Sequence, residues 1–136
     1  MNTETTENSI FPKGEKTAPA YFTGTAWLNV LVPQDEHGNY TIGNVLFESG
    51  CRNNWHTHPA GQILIITDGK GFYQEKGKEA RPIAKGDVVV IPSGVEHWHG
   101  ATKNTGLTHI AITNITEKGA VDWLKPVTDE EYNSVH

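Results

Sequence analysis

Two histidine-bearing frames, each bounded by glycine, constrain this chain more than any other feature. The first runs Gly50, five residues, His56-Thr57-His58, three residues, Gln62, six residues, Gly69. The second runs Gly86, five residues, Pro92-Ser93-Gly94, two residues, His97. Glycine and proline punctuate turns, and residues i and i+2 of a strand share a face. His56 and His58 can therefore converge on one point, and so can His97 and His99. Gln62 opens the strand that follows the loop Pro59-Ala60-Gly61. Two imidazoles, an amide oxygen and a third imidazole from a facing strand make a half-shell for a transition metal, with positions left open for water or substrate.

The rest of the chain suits that arrangement. From Tyr21 onward it is built of short runs of strand formers between turn signals: Ala26–Val32, Tyr40–Phe47, Gln62–Thr67, Gly71–Glu75, Val88–Ile91 and Leu107–Thr113. Asp68-Gly69 reads as a hairpin dipeptide between two of them. Many short strands with Gly-rich turns indicate an antiparallel sandwich or barrel. Residues 1–20 are polar, carry Pro12 and Pro19, and read as an extended or flexible arm before one domain at 21–136. Helical character is confined to the tail: a turn at Ala120–Leu124, interrupted by Pro126, then a short helix opened by the capping box Thr128-Asp129-Glu130-Glu131.

At 136 residues the chain holds one domain with room for a core. A net charge of −5 disfavours nonspecific binding to nucleic acid or anionic membrane, both of which need a basic face. The longest apolar runs, Ile63–Ile66 and Val88–Ile91, are far shorter than the roughly 20 residues of a membrane span. The opening MNTETTENSI lacks the basic and apolar regions of a signal peptide, so a cytoplasmic location is expected. The single cysteine, Cys51, cannot form an intrachain disulfide and reads as a small filler. Ile63–Ile66 and Val88–Ile91 are apolar on both faces, which predicts a covered outer face and hence a homodimer or higher homo-oligomer.

The two frames closely resemble the paired motifs of the cupin superfamily, whose fold is an all-β jelly-roll barrel. Gln62 stands where most cupins carry glutamate, and Ala101 where many carry asparagine. With that glutamine included, Trp55–Gln62, His97–Ala101, Thr108–Ile112 and Val127–Tyr132 resemble the small bacterial manganese-dependent cupin hydroxynitrile lyases. The resemblance implies one divalent metal, Mn2+ foremost with Fe2+, Zn2+, Ni2+ and Co2+ as alternatives, on His56, His58, Gln62 and His97. It also implies that His99 and His109 line the pocket as catalytic groups.

A neutral amide in place of a carboxylate leaves a bound cation its full +2 charge, which favours Lewis-acid over redox chemistry. Cleaving a cyanohydrin, a small-molecule substrate, needs loss of the hydroxyl proton and departure of cyanide, and neutral histidines can serve both steps. Strand parity places Gly43, Val45 and Phe47 on one face and His109, Ala111 and Thr113 on another, as candidate pocket walls. A dioxygenase-like cupin and a non-catalytic small-molecule-binding cupin are the alternative readings, and the order of roles of His99 and His109 stays open at this level.

Overall fold

The computed structural model describes residues 9–35 and 38–136. The first eight residues of the expected arm, and residues 36 and 37, lie outside that range. The described residues form twelve strands and one helix: β1 (Glu15–Lys16), β2 (Phe22–Thr23), β3 (Ala26–Val32), β4 (Tyr40–Phe47), β5 (Arg52–Asn53), β6 (His56–Thr57), β7 (Gln62–Glu75), β8 (Arg81–Ala84), β9 (Val88–Ile91), β10 (His97–Ala101), β11 (Leu107–Asn114), β12 (Asp122–Trp123) and α1 (Asp129–Ser134). They pair antiparallel in the order β1-β3-β4-β11-β7-β10-β5-β2, with β8 and β9 also on β7 and with β6 joining β10 to β12. The sheet curls on itself as a jelly-roll barrel. Its interior end is packed by Phe47, Leu64, Ile66, Ile83, Val89, Ile91 and Leu107.

The sheet turns its corner on β7. The first half of this fourteen-residue strand pairs with β11 and β9, and its second half pairs with β10 and β8. The sequence reading of Asp68-Gly69 as a hairpin is therefore corrected: the strand continues through it. The register with β11 slips beside His109, which pairs with Ile66 while Thr108 pairs with Asp68, leaving Thr67 as a bulge. A bulge with a nearby left-handed glycine bends a strand without ending it. Gly69 has φ +79°, and a Cβ there would lie 1.9 Å from the Gly106 carbonyl oxygen.

A second correction falls in the tail. Asp122 and Trp123 are not helical; they pair as β12 with Thr57 and His56. The unsatisfied edge of the two-residue β6 outcompetes a helical turn that Pro126 would cut short. The last helix forms as its capping box predicts. The Glu131 backbone N–H donates to Thr128 Oγ1 at 3.0 Å, and the Thr128 N–H donates to Glu131 Oε1 at 2.9 Å. Tyr132 of α1 packs with Trp55, Trp98 and Val127 in a second cluster outside the barrel. The Tyr132 hydroxyl donates to the Ala101 carbonyl, and Arg52 holds Asp129 at 2.7 Å. Trp98 thus faces away from its neighbours His97 and His99, as strand parity requires. Cys51 is fully buried, and burial pushes its thiol pKa up to about 12, so it packs as an inert filler.

Near the start of the described chain, β1 pairs with β3 along the sheet edge. On the outside of the sheet, Val88 and Val90 are 51% and 66% exposed, so no described residue covers them. No helix among the described residues is long and apolar enough to cross a membrane.

Candidate metal centre

Backbone pairing brings the two histidine frames together. His56 of β6 lies directly opposite His97 of β10, and Gln62, at the start of β7, lies opposite Thr113 of β11. Ring centroids are 4.2 Å apart for His56 and His97, 4.9 Å for His56 and His58, and 5.4 Å for His58 and His97. Each of these rings is anchored through Nδ1 to a backbone carbonyl: His56 to Asn54 at 2.7 Å, His58 to Ala120 at 2.8 Å and His97 to Val95 at 2.9 Å. A carbonyl can only accept, so each Nδ1 carries the proton and each Nε2 presents a lone pair. The Nε2 atoms of His58 and His97 are buried without a hydrogen-bond partner among the described residues, and so is Gln62 Oε1. The Gln62 amide is oriented by its Nε2, which donates to Thr113 Oγ1 at 2.8 Å.

Buried polar atoms left unpaired are costly. Lone pairs on three protein atoms aimed at one region suit a divalent transition metal, because imidazole nitrogen and amide oxygen are both ligands for such ions. The tightest group of potential ligand atoms is a different trio, His56, His97 and His99, all within 4.8 Å of one another. His56 and His97 belong to both sets. What separates His58 from His99 is hydrogen bonding: His58 Nε2 has no partner among the described residues, whereas the His99 ring is already engaged by Asn53.

Asn53 grips His99 at two points. Its Oδ1 accepts the His99 backbone N–H at 3.0 Å, which turns its Nδ2 toward the ring, 3.2 Å from Nε2 and 3.4 Å from Nδ1. His109 lies beside it, with ring centroids 5.0 Å apart, and neither of its ring nitrogens has a partner among the described residues. Burial holds all five imidazoles neutral. It lowers His109 and His97 to about 4, and lowers His58. His56 and His99 fall well below the usual value, through burial first and then repulsion among neighbouring rings once charged.

His56, His58, Gln62, His99 and His109 line one chamber of about 250 Å3, and the His97 ring packs against that of His56. Its walls include Gly43, Val45, Phe47, Ala111 and Thr113, the positions that parity nominated, and also Asn53, Phe22, Leu28 and Trp123, which the sequence reading did not single out. Asn53 sits three residues before His56, outside any i, i+2 relation, and only the pairing of β5 with β10 reveals it. Gly43 faces Ala111, and Val45 faces His109, across the β4–β11 ladder.

The cupin domain family matches residues 43–113, over half of the chain and spanning both frames. The chain belongs to the cupins. This cupin is similar to the (R)-mandelonitrile lyase of Granulicella tundricola, with 44% identity over 112 residues, 82% of this chain and 86% of that protein. Among solved structures it is similar to a cupin-like protein from Thermotoga maritima, with 50% identity, a TM-score of 0.89, and coverage of 93% of this chain and 96% of that one. A more partial similarity links it to a gentisate 1,2-dioxygenase from Ralstonia sp, 27% identical over 60 residues, 44% of this chain and 17% of that enzyme.

Proposed function

We propose that this cupin is a metal-dependent hydroxynitrile lyase that cleaves aromatic cyanohydrins to a carbonyl compound and cyanide. The observation that carries the reading is His109: a fully buried, neutral imidazole whose two nitrogens have no partner among the described residues, in the same chamber as the unpartnered atoms of His58 and Gln62. The similarity to a mandelonitrile lyase supports the same chemistry. His56, His58 and His97 through Nε2, and Gln62 through Oε1, are the proposed ligands, with manganese the expected ion. When bound, a divalent cation supplies Lewis-acid polarisation of the substrate hydroxyl, undiminished by any carboxylate in the ligand set.

The chain's own groups divide the remaining work. His109, kept neutral by burial, accepts the hydroxyl proton. As the carbonyl forms, the bond to the cyano carbon breaks and its electron pair leaves with cyanide. Asn53 donates to one nitrogen of the His99 ring, so in the neutral ring the other nitrogen carries hydrogen. That N–H hydrogen-bonds the departing cyanide as its charge grows. The proton held by His109 then passes to cyanide, leaving hydrogen cyanide and the carbonyl compound with both histidines in their starting state.

The test is release of benzaldehyde and cyanide from mandelonitrile by manganese-loaded protein. Activity should vanish with chelator and return with metal, and His109→Ala should slow turnover by roughly 10²–10⁴-fold. Absence of any metal-dependent release refutes the proposal. Oxygen uptake with a phenolic acid instead would favour the dioxygenase reading that the partial similarity to the Ralstonia sp enzyme supports.

A further inference from the structure

The histidine chamber does not end at its own walls. A second cavity of about 590 Å3 opens directly outside it, and the two share Phe22, Leu28, Val45 and Trp123. This mouth lies between the edge strands of the curled sheet. β3 contributes Leu28 and Val30 on one side, 38% and 54% exposed, and the other side carries Tyr21 and Phe22 with Trp123. The exposed Glu15 and Lys16 stand at its rim. Tyr21 stacks on Trp123 with centroids 4.7 Å apart and planes within 11°. Trp123 in turn lies 4.7 Å from His56, and Phe22 leads through Phe47 to His99 and His109. An aromatic wall therefore runs unbroken from solvent to the proposed ligands.

Ligand pockets usually span roughly 300–1,000 Å3. The chamber falls below that range: at about 250 Å3 it has room for a single-ring compound, since a cavity of about 150 Å3 already holds benzene, but not for a fused ring system as well. The mouth has the size and the apolar lining for whatever else the substrate carries. Flat rings pack well against stacked or edge-on aromatic side chains.

We infer that the mouth is the binding site for a flat aromatic substituent larger than a single ring, seated between Val30 and the Tyr21–Trp123 pair, and that it sets substrate selectivity. This rests on the chamber being the reacting site. Tyr21 and Val30 are the informative positions because both are partly exposed and neither touches a proposed ligand.

Isothermal titration of the manganese-loaded protein with acetophenone and with 2-acetonaphthone tests this, since both are unreactive carbonyl compounds that differ by one fused ring. The added ring should tighten binding roughly tenfold. Val30→Asp and Tyr21→Ala should each remove most of that preference, while acetophenone affinity changes by less than about threefold and bound metal is unchanged. Equal affinity for the two ketones, or a preference that survives both variants, overturns the inference. The two readings fail separately. Cyanide release from mandelonitrile without a size preference overturns the mouth alone. A size preference abolished by the variants, in a protein that releases no cyanide, upholds the mouth and removes the lyase.

Discussion

Thr113→Val isolates what holds the glutamine in place. Threonine and valine are close in shape and both suit a strand, so the exchange removes one hydroxyl from β11 and little else. That hydroxyl accepts from Gln62 Nε2 at 2.8 Å and so sets which way the amide points. Losing a neutral hydrogen bond costs about 0.5–1.5 kcal/mol, and leaving a buried donor unpaired costs about 1–3 kcal/mol. Gln62 is only half-buried, so water relieves part of that, and the metal-free protein should lose about 1 kcal/mol of folding stability. The larger effect falls on the bound state. Without that acceptor the amide is no longer preset with its oxygen toward the cation, and metal binding must itself order it. Removing a group that orients a ligand typically weakens metal binding about 10–100-fold. A chelator-competition titration with Mn2+ measures this, and Thr113→Ser, which keeps the oxygen, should stay within about threefold of the parent. The reasoning is refuted if Thr113→Val binds metal as tightly as the parent, or if Thr113→Ser falls as far as valine does.

Burial depresses His109 from the usual 6.5 to about 4, so the unfolded chain takes up its proton first as pH falls. Stability of the metal-free protein is therefore intact above about pH 6.5 and lost toward pH 4, by about 3 kcal/mol from His109 alone at 1.36 kcal/mol per pH unit. The other four buried imidazoles act in the same direction, and urea midpoints that stay level from pH 7 to pH 4.5 would refute this. The outer face, where Val90, Ile63, Ile112, Ile42 and Val32 align across four strand pairings, is expected to pair with a second copy of the chain. Sedimentation velocity should show a dimer at micromolar concentration, and a stable monomer there would refute it.

Much of this protein was readable before its structure. Strand parity placed His56, Gly43, Val45, Phe47, Ala111 and Thr113 on inward faces, because a period of two leaves no choice once a strand is recognised. The capping box worked because it depends only on neighbours within four residues. The misreadings share the opposite cause. Asp68-Gly69 reads as a hairpin locally, yet β11 and β10 take up its flanking residues on separate parts of the sheet, and the strand bends instead of reversing. Asp122-Trp123 reads as part of a turn, yet the open edge of β6 captures it.

By itself the sequence determined the fold class, the cupin frames and the unusual Gln62, since all of these are carried by residue type and spacing along the chain. Only the tertiary structure decided which nitrogen of each histidine faces inward, because the carbonyls of Asn54, Val95 and Ala120 that accept each Nδ1–H are positioned by the fold; that of Ala120 lies 62 residues from His58. It also decided that Asn53 grips His99, that Thr113 orients Gln62, and that Tyr21 and Trp123 build a mouth beside the chamber. These are contacts between segments distant in the chain, and their geometry exists only after the sheet has curled and brought its two edges face to face.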